Sequence, residues 1–174
     1  LEMDRVMTRS SGGADIVLMA AAVADYRPVL PSARKLRRSS ETLTLEMVAN
    51  PDILSSLGAE RRPGQTLVGF ALETHDGVRH ARAKLQAKHI DLGVLNAPAD
   101  GIGRDTNKVT LVEPKRRESL PELPKREVAE HILDRVLEMR AAASAGRGGK
   151  APARRPAAKR AKKPARGAAA STVR

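Results

Sequence analysis

Three short, unbroken apolar runs, Asp15–Ala22, Thr66–Ala71 and Asp91–Leu95, alternate along the chain with stretches of helical periodicity. A strand that is apolar on both faces must be covered on both, so this alternation predicts an α/β layer architecture with a mostly parallel sheet. Lys108–Val112 reads as a fourth such strand. Helices are expected over Glu2–Arg9, with Met3, Val6 and Met7 at helical spacing, and over Asp76–His89, where Val78, Ala81 and Leu85 face inward. A closing helix over Lys125–Arg140 carries Val128, Ile132, Leu133, Val136 and Leu137. Asn50-Pro51 reads as a helix start, with Asn as the cap and Pro in the first turn, and that helix should stop near Gly58. Thr42–Val48 alternates instead, with Leu43, Leu45 and Met47 on one face and Thr44 and Glu46 on the other, as in a half-exposed strand. A Rossmann-like half-domain fits this order, and in such sheets ligands sit past the carboxyl ends of the strands.

The formal charge of +12 is unevenly distributed. Residues 1–138 hold 21 Lys and Arg against all 20 acids, whereas residues 139–174 hold 11 Lys and Arg and no acid. The first 140 residues therefore read as a nearly neutral domain, and 141–174 as a disordered basic tail rich in Ala, Lys, Arg and Pro. Such a composition buries too little surface to offset the entropy of ordering. A tail of this kind can contact nucleic acid or another polyanion through charge alone, or can be a solvated extension without a partner. The chain has no cysteine, which excludes disulfides and thiolate chemistry and agrees with a cytoplasmic setting. No run is long and apolar enough for a membrane helix. One Tyr, one Phe and no Trp argue against a nucleic-acid platform built on base stacking.

Several segments could carry chemistry, and each also has a plainer role. At Ala20–Pro28, small residues leaving a buried strand let a ligand approach the backbone, and Asp25 can accept hydrogen bonds; equally, the alanines pack a helix and Asp25 caps a turn. Arg34-Lys35-Leu36-Arg37-Arg38 offers a phosphate cation or a solvated edge. Asn50-Pro51-Asp52-Ile53 opens a helix whose free amides suit an anion, although ordinary capping explains it too. Lys84 and Lys88 project from one helix face and can clamp a polyphosphate or remain in solvent. Gly101–Asn107 is a turn-forming loop that lacks the third glycine of a dinucleotide motif. His75, His80, His89 and His131 show no zinc spacing, and metal ligands stay unassigned.

Taken in order, these segments resemble the phosphopantothenoylcysteine synthetase domain, the C-terminal half of a bifunctional bacterial coenzyme A enzyme. The resemblance spans about residues 1–140. It rests on Ala20–Pro28, on Lys35 ten residues after Asp25, on Asn50–Ile53, on Val68–Thr74, on Ala81–Leu85 before Lys88, and on Leu123–Ala129. It implies a ligase that uses CTP and Mg²⁺ to turn the carboxylate of 4′-phosphopantothenate into an acyl-cytidylate, which the amine of L-cysteine then attacks. By position, Lys35 matches the residue essential to that chemistry and to triphosphate binding. Met19, Ala20, Ala21 and Asp25 match nucleotide contacts, as do Asn50, Pro51, Asp52, Ile53, Phe70, Lys84 and Lys88. FMN belongs, in this reading, only to the decarboxylase half, which is absent. Cations around a triphosphate fit a reaction that depends on positioning and charge neutralisation.

The family's glycine-rich first strand and its Asn-x-Ser-Ser-Gly segment have no counterpart here. A sheet missing its first strand, a fragment inactive alone and a homodimeric full-length parent are the expectations. Two other classes compete: a nucleic-acid-associated protein working through its tail, and a nicotinamide-dependent enzyme, which the lack of Gly-x-Gly-x-x-Gly after a strand disfavours.

Overall fold

Strands with apolar residues on both faces form the middle of a three-layer fold. A computed structural model describes residues 1–38, 42–72, 77–97 and 103–148. In chain order the elements are α1 (Glu2–Ser11), β1 (Ile16–Met19), β2 (Tyr26–Pro28), β3 (Met47–Ala49), α2 (Ile53–Glu60), β4 (Thr66–Leu72) and α3 (Gly77–Ala87). They continue with β5 (Leu92–Asn96), β6 (Thr106–Asn107), β7 (Val109–Val112), β8 (Arg117–Ser119), β9 (Leu123–Pro124) and α4 (Lys125–Gly148). The main sheet has the order β1-β4-β5-β7-β8. β1 pairs parallel with β4, and β4 parallel with β5; β7 runs antiparallel to both β5 and β8. Four of the five strands thus point the same way, and the mostly parallel sheet expected from the sequence is present. A parallel pair needs a long crossover, which α3 supplies between β4 and β5, whereas the short 113–116 turn can only fold β8 back against β7.

Alternation along the strands divides the core. Val17, Met19, Leu67, Leu95 and Val112 face α2 and α3, where they meet Ile53, Leu57, Ala81 and Leu85. Val68, Leu92, Val94 and Leu111 face the other way and pack on Val128, Ile132 and Val136 of α4. Burying side chains such as Leu67 and Leu92 completely contributes about 1.5–3 kcal/mol each. Buried Gln65 is satisfied, donating from Nε2 to the carbonyls of Ser11 (2.7 Å) and Ala14 (2.8 Å). Arg140 of α4 donates to the carbonyls of Asp15 (3.0 Å) and Gly64 (2.8 Å), fastening the helix to the amino ends of β1 and β4.

The structure departs from the sequence reading in several places. β1 ends at Met19, not Ala22, and the chain beyond it, from Ala21 on, forms a wall of the cleft described below. The strand expected over Thr42–Val48 shrinks to Met47–Ala49 and pairs antiparallel with β2, which the sequence did not announce. Leu43, Leu45 and Met47 are all exposed, so the alternation there reflects no buried face. Asp52, not Asn50, caps α2: its carboxylate accepts from the Ser55 amide at 3.0 Å, and Pro51 lies outside the helix. α4 runs on to Gly148, eight residues past Arg140, through an alanine-rich stretch of high helix propensity. Of α1's three apolar side chains only Met7 packs on the core. The reading of the tail beyond Gly148 lies outside the described residues, as do Glu73, Thr74, His75 and part of the Gly101–Asn107 loop.

Candidate functional site

The carboxyl ends of β1, β4 and β5 open into a cleft of about 580 Å³. One wall is the loop after β1, where Ala21, Ala22 and Ala24 keep the backbone accessible. That loop is held by Asn50, whose Nδ2 donates to the Ala24 carbonyl (2.7 Å) and whose amide donates to the Asp25 carbonyl (2.8 Å). Arg27 Nη1 in turn donates to Asn50 Oδ1 and to the Ala49 carbonyl, both at 3.0 Å. Asn50 therefore ties the wall together. The floor is β4, where the side-chain ends of Leu54 and Ile90 come close to Gly69. A Cβ there would stand 2.6 Å from Leu54 Cδ2 and 3.0 Å from Ile90 Cδ1. Phe70 adds a half-exposed ring.

The remaining wall is cationic. Lys84 of α3 and Lys88 just beyond it both line the cleft. Lys88 Nζ lies 2.8 Å from Asp52 Oδ2, with the Lys88 side chain 29% and the Asp52 side chain 48% exposed. Partial burial raises the pKa of Asp52, but hydrogen bonds from Lys88 and the Ser55 amide, with the Lys88 charge, outweigh it. The carboxyl is held below the ordinary carboxylate value. The backbone around Lys88 is bolted down. Gly58 of α2 packs so closely that a Cβ would fall 1.9 Å from the Lys88 carbonyl oxygen. Arg61 donates to the His89 carbonyl at 2.9 Å and pairs with Asp91, whose carboxylate also accepts from the Leu67 amide. His89 takes a positive φ of 52° to turn the chain out of α3. The cleft thus brings two lysines, one of them paired with Asp52, and an aromatic ring into a lining of mixed polar and apolar residues, an arrangement suited to a ligand carrying phosphate and an aromatic system.

Ten of the twelve residues assigned from the sequence line this cleft: Met19, Ala21, Asp25, Asn50, Pro51, Asp52, Ile53, Phe70, Lys84 and Lys88. Ala20 and Lys35 do not; Lys35 sits in the exposed 31–38 segment. Among the described residues no group of three or more His, Asp or Glu is disposed to hold a metal. The sequence reading missed Gly69, Leu54 and Ile90 in the floor, and Arg27 in the wall. Arg27 stands within the Ala20–Pro28 signature, but only the fold shows what it holds.

The family described as the DNA/pantothenate metabolism flavoprotein C-terminal domain matches residues 1–139. The chain belongs to that family. The chain is 36% identical over 142 residues to a protein named cysteine/cysteine sulfinic acid decarboxylase from an unknown prokaryotic organism, covering 79% of this chain and 40% of that one. It is 41% identical over 126 residues to the coenzyme A biosynthesis bifunctional protein CoaBC of Bacillus subtilis (strain 168), covering 70% and 31%. The chain thus spans two fifths or less of these relatives. Among solved structures, the C-terminal domain of a CoaBC superposes with a TM-score of 0.62 at 32% identity, over 79% of this chain and 61% of that one. A DNA/pantothenate metabolism flavoprotein from Streptococcus pneumoniae, at 24% identity, shares the fold with a TM-score of 0.64, over 79% and 69%.

These findings correct the functional side of the motif resemblance. The matched family is described as a flavoprotein domain, and the relative at 36% identity is named a decarboxylase. The assignment to a synthetase half, the CTP-dependent ligase activity, the Mg²⁺ requirement and the exclusion of FMN are accordingly withdrawn. The printed names of the family and of CoaBC refer to pantothenate metabolism and coenzyme A biosynthesis. The physical reason for the error is visible in the cleft: the quoted motifs build walls, floor and a cationic end, which fix where a ligand lies without fixing the reaction. Lys35, on which the ligase chemistry rested, is absent from the lining.

Proposed function

We propose that this domain binds a phosphorylated, ring-bearing ligand of the mononucleotide class in the cleft and serves coenzyme A biosynthesis. The observation that carries the reading is the convergence of Lys84 and Lys88 on a cleft whose opposite wall is small-residue backbone and whose floor ends in Phe70. The family's description puts flavin mononucleotide first among ligands to test, and the name of the 36% identical relative makes decarboxylation the first reaction to assay. The residues fit such a group at its phosphate end, where Lys84 and Lys88 would hold it, and Phe70 offers the ring an apolar face. When bound, a flavin supplies two-electron redox chemistry; the chain's own residues bind, orient and exclude water. Asp25, exposed at the mouth, would accept hydrogen bonds from ligand hydroxyls. Lys35 reaches this ligand only if the 31–38 segment folds over the cleft. A phosphorylated pantothenate derivative is the substrate class we propose, in a cytoplasmic setting that needs no disulfides. A homodimer joined through the exposed β2–β3 arm belongs to the same proposal.

Titration of the chain with FMN, followed by flavin fluorescence and calorimetry, tests it. Saturable binding that is lost in Lys88→Gln and weakened in Lys84→Gln is expected. Failure of FMN to bind, with CTP and Mg²⁺ binding instead, would overturn the flavin assignment while keeping the phosphate site. Failure of both would overturn the cleft reading.

A further inference from the structure

Lys88 faces the cleft, yet its charge is already engaged. Asp52 divides its carboxylate between two partners: Oδ1 accepts from the Ser55 amide at 3.0 Å, and Oδ2 lies 2.8 Å from Lys88 Nζ. Both side chains line the cleft, so the pair occupies space a ligand's anionic group would enter. The backbones at the two ends cannot separate easily. Gly58 holds α2 against the Lys88 carbonyl, and Arg61 ties α2 to the His89 carbonyl. What can move is the flexible lysine stem, whose four carbons let the ammonium swing from one oxygen to another.

We infer that Asp52 is an internal counter-anion that a ligand's phosphate displaces from Lys88, and that it thereby selects phosphate over carboxylate. The inference rests on the cleft reading above. A carboxylate tethered beside Lys88 competes at an effective concentration on the order of millimolar, so a free carboxylate of equal charge gains nothing by replacing it. A phosphate brings about −1.5 to −2 charges and three acceptor oxygens, and can win the lysine. Asp52 remains bound to the Ser55 amide throughout, so the helix cap survives the exchange.

Asp52→Asn separates these roles, because asparagine caps a helix as well as aspartate does but carries no charge. The probes are inorganic phosphate, acetate and FMN, followed by amide shifts of Ser55 and Lys88 in NMR titrations and by calorimetry. In the wild-type chain, phosphate and FMN should bind and acetate should not. Asp52→Asn should bind phosphate and FMN about two- to fivefold tighter, the range expected when a partly exposed ion pair no longer competes, and should acquire acetate binding. Lys88→Gln should lose phosphate and FMN binding and should not bind acetate. Phosphate that binds the wild type but no more tightly to Asp52→Asn, with acetate still excluded, would overturn the displacement and leave the cleft reading standing. Phosphate and FMN that bind none of the three proteins overturn both.

Discussion

Replacing Gly58 with alanine sets two rules of helix stability against each other, and the structure decides between them. Within an isolated helix alanine is favoured over glycine by about 1 kcal/mol, so propensity alone forecasts a more stable protein. Gly58, however, lies where α2 meets the turn after α3, and an added Cβ would fall 1.9 Å from the Lys88 carbonyl oxygen and 2.9 Å from its carbon. Carbon–oxygen contacts rarely close below roughly 3.3 Å, so one element must retreat by roughly 1.4 Å. The obstacle is backbone, and its neighbours are tied: the Ile90 amide donates to the Leu85 carbonyl at 3.0 Å, and the Asp91 amide to the Leu67 carbonyl at 3.0 Å. Overpacking of this kind costs about 1–3 kcal/mol and sometimes more, and against immovable backbone the upper end applies. Net of propensity, Gly58→Ala should destabilise the domain by about 2 kcal/mol, lowering Tm by roughly 8 °C for a domain of this size. Urea and thermal denaturation followed by circular dichroism measure it. Gly69→Ala is the internal control: its obstacles are the ends of the Leu54 and Ile90 side chains, which can yield, so its loss should be smaller. A Gly58→Ala protein as stable as the wild type, or more so, would refute the reasoning.

Asp52, with its pKa held down in the folded chain, contributes stability that is present above the unfolded carboxylate value of about 3.9 and lost as pH falls through the folded one. The stability gap between wild type and Asp52→Asn should therefore narrow as urea denaturation is repeated from pH 6 down to pH 3; a gap that stays constant contradicts the ion pair. Arg140→Met removes donors from the carbonyls of Asp15 and Gly64, and should cost about 1–3 kcal/mol. Hydrogen exchange in β1 should accelerate with it, and unchanged protection there would argue against the fastening. On the arm, Leu45 and Met47 are exposed. Leu45→Asp with Met47→Asp should shift light-scattering mass from dimer to monomer, whereas a wild-type monomer at all concentrations would remove the proposed dimer.

The layers of the fold were legible because strands such as Thr66–Leu72 are apolar on both faces, and only a two-sided sheet satisfies that pattern. The arm was not. Thr42–Val48 alternates as a half-buried strand would, but among the described residues its apolar side chains are exposed, and periodicity cannot distinguish a side chain facing the core from one facing solvent. β8 was missed for the opposite reason: Arg117-Glu118-Ser119 is polar, and it is a strand because the 113–116 turn folds it onto β7. Most of the cleft was legible only through the family resemblance, which singled out Ala21, Asp25, Asn50–Ile53, Phe70, Lys84 and Lys88; taken singly, these residue types had plainer roles. Their duties could not. Asn50 looked like a cap and ligand contact but spends its hydrogen bonds on the Ala24 and Asp25 carbonyls, pairings between segments about 25 residues apart that only the folded chain reveals.

α4 has a practical consequence for handling the molecule. It starts beside Asp105, to whose carbonyl the Lys125 amide donates at 2.9 Å, and reaches the amino ends of β1 and β4 at Arg140. The cleft lies at the carboxyl ends of those same strands. A dye, resin or sensor surface attached through the end of α4 would thus be anchored on the side of the sheet away from the ligand. Immobilised measurements of ligand exchange should then match those made free in solution, without a spacer to keep the cleft clear.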